Sequence, residues 1–322
     1  MYDVVALGEL LIDFTPAGIS ENGNTLFETN PGGAPANVLA TLAKFNAKTA
    51  FIGKVGTDQF GIFLGEVLKK ENIDLQGLVY SEDVNTTLAF VHLSENGDRS
   101  FHFYRSPGAD IMLEEKEVDL ELVQNTKIFH FGSLSMTHEP AKSATLKAVK
   151  AAQKNDSIIS YDPNLRPALW KNLTHAKETI IEGMQYADIL KISEEELEFI
   201  TGISDFEEGS QFLHDKFDLK IVLVTLGSKG CFYRFGKDTG HINGFKVNAV
   251  DTTGAGDMFL GSFLYQFIKK DASWNSLQAT DVEKMIIFAN AAAALGTTKN
   301  GAIPAIPNLD DVRKLIGTES NY

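Results

Sequence analysis

The chain has 322 residues, 43% of them hydrophobic and 22% charged, which is enough for one large α/β domain or two of about 150 residues. A formal net charge of −14 repels phosphate backbones and anionic membranes. Nucleic acid and membrane are therefore excluded as partners, and an anionic substrate needs local positive help from metal ions or helix N-termini. One cysteine, Cys231, rules out an intrachain disulfide framework and suits a reducing, cytoplasmic compartment.

Taken in chain order, short apolar runs alternate with amphipathic ones. Tyr2–Leu7 reads as a buried strand. It runs on into an apolar stretch interrupted by Glu9 and Asp13, with no basic segment before it, so it does not read as a targeting signal. Ala50–Val55, Lys127–Phe131, Ser157–Tyr161, Asp188–Ile192 and Lys220–Leu226 read as further buried strands. In Phe60–Lys70, the residues Phe60, Leu64, Val67 and Leu68 follow the spacing of one buried helix face. No run of about 18 apolar residues occurs, so no transmembrane helix is expected.

Two stretches break the alternation. Leu10–Asn30 and Thr86–Arg105 carry β-type sequence without crossover helices, and in the second the Asn96-Gly97 pair between Leu88–Leu93 and Arg99–Tyr104 is a strong hairpin signal. The expected architecture is α/β: a mostly parallel sheet with helices on both faces, formed by residues 1–9, 31–85 and 106–322. Residues 10–30 and 86–105 form a small antiparallel β lid, a subunit interface, or both. Two hairpins bury little alone, so they need a partner surface.

In open parallel sheets ligands bind beyond the carboxyl ends of the strands. Here those ends lead into Asp13, into Asp162, Asn164 and Arg166, into Ser193 and Glu194, and into Gly227 and Gly230. The most informative segment is Asp251-Thr252-Thr253-Gly254-Ala255-Gly256-Asp257, which opens a helix over Met258–Ile268. Small residues at a helix start let free N–H groups approach an anion, with the favourable end of the helix dipole behind them. A carboxylate directly after them, Asp257, is placed to take a proton from an attacking hydroxyl, and phosphoryl transfer asks for little more. An ordinary Gly-rich helix cap is the alternative. The second segment is Asn30-Pro31-Gly32-Gly33-Ala34-Pro35-Ala36-Asn37, a tight helix entry in which Asn37 offers both donor and acceptor to a sugar hydroxyl. It too can be no more than a helix start.

Common rivals are missing. Gly53-Lys54 lacks the partners of a P-loop, and Phe259 stands where a dinucleotide fingerprint needs its third glycine. Seven histidines and one cysteine show no zinc spacing, and there is no G-x-S-x-G elbow.

At Gly32-Gly33-x-x-Ala36-Asn37 and Asp251–Asp257 the sequence resembles the two signatures of the PfkB, or ribokinase-like, carbohydrate kinases. The resemblance runs from Gly8-Glu9-Leu10-Leu11-Ile12-Asp13 to Gly301-Ala302-Ile303-Pro304. Within the family it is most similar to fructokinases, through Phe51–Gly56, Tyr161–Arg166 and Lys191–Glu196. It implies MgATP as co-substrate and fructose as acceptor, and it supports the homodimer expected from apolar residues on the exposed face of the lid, such as Phe101 or Phe103. It also implies Asp257 as base, with the amides of Gly254, Ala255 and Gly256 as anion hole. Asp13, Gly33 and Asn37 would hold the sugar, with Arg105 and Arg166 near substrate or phosphates. Ser193, Thr225, Gly227, Gly230 and Asn290 would line the ATP pocket, and Glu194 would organise Mg²⁺ through water. Lys191 stands where many members have asparagine, and is expected to approach the ATP phosphates. Asp251 and Thr253, with backbone oxygens of Thr297–Ala302, match a K⁺ position. The residues leave open 2-keto-3-deoxygluconate kinase, with Arg105 and Arg166 on the acid's carboxylate, a riboside kinase, and a non-catalytic sugar-binding regulator.

Overall fold

The computed structural model describes residues 1–93, 99–271 and 273–319. The first part of the chain forms β1 (Tyr2–Leu7), β2 (Leu11–Ile19), β3 (Thr25–Gly32), α1 (Ala34–Lys44), β4 (Thr49–Gly56), α2 (Gln59–Lys70), β5 (Asp74–Ser81), β6 (Leu88–Leu93) and β7 (Arg99–Tyr104). The middle forms α3 (Leu120–Gln124), β8 (Thr126–Gly132), α4 (Ala141–Lys154), β9 (Ile158–Asp162), α5 (Leu173–Met184), β10 (Ile189–Ser193), α6 (Glu194–Thr201) and α7 (Phe206–Phe217). The rest forms β11 (Ile221–Thr225), β12 (Gly230–Phe235), β13 (Asp238–Asn243), α8 (Ala255–Lys270), α9 (Ala279–Gly296) and α10 (Leu309–Glu319).

Nine strands make the main sheet in the order β13-β12-β11-β10-β9-β8-β1-β4-β5. All neighbours are parallel except β11–β12 and β12–β13, an antiparallel hairpin at one edge. From β1 the chain proceeds to β4 and β5 on one side and to β8–β13 on the other, so strand order reverses at β1. A crevice at the carboxyl ends is the geometric consequence. Both faces are covered. Leu39, Leu42, Leu64, Phe263, Ile286 and Val312 pack one face under α1, α2, α8, α9 and α10. Val149, Ile180, Leu197 and Leu213 pack the other under α4 to α7. Burial on both faces is why these strands read as continuous apolar runs rather than alternating ones.

The six expected core strands are present with ends within a residue or so. Three strands were not legible. β5 is an edge strand whose Asp74, Gln76 and Gly77 dilute its apolar pattern, and β12–β13 form a half-exposed edge hairpin turning at Gly236, where φ is 59°. The edge strands β5 and β13 are partly exposed and lose the buried-strand signature, whereas β12, second from the edge, is largely buried but interrupted by Arg234.

The small sheet has the order β3-β2-β6-β7. It consists of two antiparallel hairpins, β2–β3 and β6–β7, whose adjoining strands run parallel with Ile12, Asp13 and Phe14 opposite Leu88, Ala89 and Phe90. The expected turn at Asn96-Gly97 lies outside the described residues. Phe14 and Phe90 stack at 4.6 Å, and Phe60 of α2 meets Phe14 edge-on at 5.6 Å, which fastens the base of this sheet to the main body. Asp58 does the same with hydrogen bonds: Oδ1 caps α2 at Phe60 and Gly61, and Oδ2 accepts from the Thr86 N–H at 2.7 Å.

Candidate active site

The site is built where β1, β8, β9, β10 and β11 end and α1 and α8 begin. Gly33 precedes α1 with φ 125°, and a Cβ there would overlap the carbonyl oxygen of Glu9, so only glycine makes this entry. Four residues later Asn37, 6% exposed, donates from Nδ2 to Oδ2 of Asp257 at 2.8 Å. Two motifs 220 residues apart thereby meet in one hydrogen bond. The Asn37 Oδ1 is buried with no protein partner. A buried acceptor left unpaired is costly, and a ligand hydroxyl is the kind of group that relieves it.

At α8 the turn residue Gly254 has φ 72°, and a Cβ would come to 2.6 Å from that of Ala302. The N–H of Ala255 closes this turn onto the Thr252 carbonyl at 3.2 Å, which removes it from the expected set of anion-hole donors. Helix geometry leaves the next amides, those of Gly256 and Asp257, without intrahelical acceptors. Asp251 holds the turn in place. Its Oδ1 accepts from the Thr253 N–H and hydroxyl at 2.9 and 2.7 Å, and its Oδ2 from the Gly301 N–H at 2.9 Å. The expected meeting of residues 251–253 with the 297–302 loop is therefore present, tied further by Val250 and Asp251 N–H groups on the Thr297 carbonyl.

Asp257 is buried at the start of α8, and burial, aided by the Asp162 charge, pushes its carboxyl up to about 6. The Asn37 amide, Lys191 and Arg166 oppose the rise. Lys191, on β10, pairs with Asp162, on β9, at 2.9 and 3.2 Å. Burial alone would lower its ammonium, but Asp162, Glu196 and Asp257 raise it above its ordinary value, so it stays charged. Its Nζ lies 3.0 Å from where a Cβ on Gly256 would be, against the first turn of α8. A side chain at position 256 would crowd the ammonium, which stands as a cation beside the open amides.

Asp13 on β2 is half-buried, and burial pushes it up to about 6 against the pull of Arg166. Its Oδ2 occupies the space a Cβ on Gly32 would take. Arg166 is exposed, bonded to the Leu165 carbonyl at 3.1 Å, with its field on both Asp13 and Asp257. Arg105 differs from expectation. It is 7% exposed, and its guanidinium pairs with Asp110 at 2.6 and 2.8 Å and also donates to Thr137 and Leu134. A cation so matched is a brace between β7 and the main sheet rather than a free phosphate ligand.

Sequence reasoning singled out Glu194, but Glu196 is the acid that faces inward. Its Oε1 accepts from the Leu165 N–H at 2.6 Å and its Oε2 from the Ser193 N–H at 2.9 Å, while Ser193 Oγ caps its own amide. Glu194 sits half-buried one turn position away. The Ser193-x-x-Glu196 capping-box spacing was the available signal. Thr225 bonds to the Ile192 carbonyl at 3.4 Å, and Gly227 and Gly230 have φ of 57° and 103° in the turn leading to β12. Asn290 holds the end of β13, donating to the carbonyls of Ile242 and Asn243 at 3.1 Å each. Asn290 stands on the α9 side of β12 and β13. A separate cleft of about 1150 Å³, lined by Phe206, Leu226, Lys229, Phe232, His241 and Lys246, lies on the opposite, α7 side of β12.

Residues 1–309 match the pfkB family of carbohydrate kinases. The chain belongs to that family. Relatives agree with it over nearly their full length. Fructokinase-2 of Oryza sativa subsp. japonica is 43% identical over 322 residues, covering 99% of this chain and 95% of that one. The fold is similar to a crystal structure of fructokinase with bound ATP from Xylella fastidiosa, with TM-score 0.91, 31% identity and coverage of 99% and 100% of the two chains. It is also similar to a fructokinase double mutant from Vibrio cholerae O395 in a form bound to fructose, ADP and potassium ion, with TM-score 0.88, 32% identity and 98% coverage of each.

The carboxylates suit a metal carried by phosphates rather than caged by protein. Among the described residues no three His, Cys, Asp or Glu side chains cluster to hold an ion. Asp162, Glu194 and Glu196 nevertheless sit around the β9 and β10 ends, as one or two carboxylates do at sites where the ion arrives with a nucleotide.

Proposed function

We propose that the chain transfers the γ-phosphoryl of ATP to fructose, with the 6-hydroxyl as acceptor, giving fructose 6-phosphate and ADP. The observation that carries this reading is the Asn37–Asp257 contact: a buried carboxylate raised to about 6, beside an unpaired buried amide oxygen and the open amides of a helix start. Fructose as the acceptor is taken from relatives named fructokinase at 42–44% identity, and from the fructose- and ADP-bound relative.

Asp257 accepts the proton of the attacking hydroxyl, and Asn37 fixes which oxygen is free to do so. Asp13 and Asn37 bind sugar hydroxyls, and Gly33 lets the sugar approach the backbone. The Gly256 and Asp257 amides and the Lys191 ammonium receive the γ-phosphoryl oxygens, which satisfies the need for positive charge in a chain of net −14. Mg²⁺ bound with ATP would neutralise phosphate charge, reached through water by Glu194, Glu196 and Asp162. A K⁺ ion would sit by the Asp251–Gly301 tie, with Asp251, Thr253 and backbone oxygens of the 297–302 loop as its ligands. Ser193, Thr225, Gly227, Gly230 and Asn290 line the nucleotide side, with Asn290 acting through the β13 end that it holds.

Residues 1–9, 31–85 and 106–322 act as the binding body, and 10–30 and 86–105 as a lid that also pairs two copies in the cytoplasm. No helix among the described residues is long and apolar enough to cross a membrane. A keto-acid acceptor is disfavoured because Arg105 is already matched by Asp110, leaving Arg166 alone for a carboxylate. The test is sugar-dependent ADP release with MgATP on fructose, glucose, ribose and 2-keto-3-deoxygluconate, with the product's phosphate position read by NMR. Fructose is expected to have the highest kcat/KM and to be phosphorylated at O6. Preference for the keto-acid, or no turnover of fructose, would overturn the reading.

A further inference from the structure

Glu9 is a buried acid with no part in the chemistry above. It is 3% exposed and lies just past β1, where Gly8 and Glu9 pack directly on Gly33, Ala34 and Pro35. A Cβ on Gly8 would overlap the Pro35 ring, as one on Gly33 would overlap the Glu9 carbonyl oxygen. Into this interlock Glu9 sends Oε1, which accepts from the Ala34 N–H at 2.9 Å. Ala34 is the first residue of α1, and the cap residue Gly33 has no side chain to offer. The acceptor usually supplied by a local Ser, Thr or Asp therefore comes from 25 residues away. Glu9 Oε2 is buried without any protein partner.

The charged groups facing Glu9 are Arg105 and Asp110, which are matched to each other. Burial pushes the Glu9 carboxyl up to about 7, against the N–H groups of Glu9 and Ala34 and the charge of Arg105. The helix N-terminus favours a carboxylate, but here desolvation outweighs it.

We propose that Glu9 is a positioning residue for the sugar site: its Oε1 caps α1 from outside the helix and holds Gly33 and Asn37 in register with Asp257. The proposal rests on the reading of Asn37 as a sugar ligand. Because the folded protein raises the proton affinity of Glu9, protonation supports the capped entry to α1 fully below about pH 4.5, and that support is lost as pH rises to about 7.

The experiment is steady-state kinetics of wild type, Glu9→Gln, Glu9→Ala and Asn37→Ala from pH 5.5 to 9, with separate KM values for fructose and ATP and a thermal melt of each. The ratio of the wild-type fructose KM to that of Glu9→Gln is expected to rise as pH climbs toward 7 and to level off above it, which cancels the Asp13 titration that both proteins share. Glu9→Ala, which leaves the Ala34 N–H unpaired, should raise the fructose KM about tenfold with the ATP KM unmoved. A Glu9→Gln profile that rises like wild type, or a Glu9→Ala variant that raises both KM values equally or neither, would overturn the inference. An unmoved fructose KM in Asn37→Ala would overturn the site reading and this inference together, so the two failures are told apart.

Discussion

Asp257 carries a conflict between stability and chemistry. Its carboxyl is raised from 3.8 to about 6, so the folded protein prefers it protonated. The stability this contributes is present below about pH 4 and is lost as pH rises through about 6. At neutral pH the ionised side chain therefore costs on the order of 2–3 kcal/mol. As the proposed base, Asp257 must be ionised for turnover, so kcat should fall as pH drops below about 6. Asp13, also raised to about 6, should read mainly in the fructose KM over the same range. Asp257→Asn should melt a few degrees higher than wild type at pH 7.5 while losing about 100- to 10,000-fold in kcat. Near-normal kcat in that variant would remove Asp257 from the mechanism. Asp257, Asn37 and Gly33 were legible because their motifs tie residue type to backbone geometry. The partners of Arg105 and Glu196 were not legible, because the fate of a charge depends on what it meets, and Asp110 and the Leu165 N–H are brought to them by the fold.

At the scale of elements, the interiors of β1, β4, β8, β9, β10 and β11 announce themselves through burial on both faces, whereas β5, β12 and β13 do not. The small sheet was legible as β-type sequence, but its pairing was not: β2 and β6 join in parallel, with Phe14 and Phe90 stacked beside Phe60. Since Asp13 stands on β2 and Thr86 is tied to Asp58 at the start of α2, sugar bound at Asp13 should steady both hairpins. Saturating fructose is therefore expected to slow amide exchange in residues 11–32 and 86–93 more than in α4 or α5. Equal protection everywhere, or none in the hairpins, would argue against closure.

For the whole molecule, the lid leaves Ile19, Leu26, Phe27 and Tyr104 exposed at 67, 46, 37 and 61%. Phe103, one of the two residues expected at a subunit contact, instead packs against the main core, and the Phe101 side chain lies outside the described residues. An apolar lid face of this kind fits a second copy of the chain. In sedimentation, wild type should run at twice the 35.3 kDa chain mass, and Leu26→Glu with Tyr104→Glu should shift it to the monomer. A wild-type monomer at micromolar concentration would retire the dimer. By itself the sequence determined the α/β alternation, the Gly-rich helix starts and the family, because strand burial and glycine backbone freedom are local constraints that a few adjacent residues express. Only the tertiary structure decided that Lys191 is held by Asp162 against Gly256, that Arg105 is neutralised, and that Glu9 caps a helix 25 residues away. Electrostatics and hydrogen bonding depend on distance in space, and parallel crossovers bring together residues that are far apart in the chain.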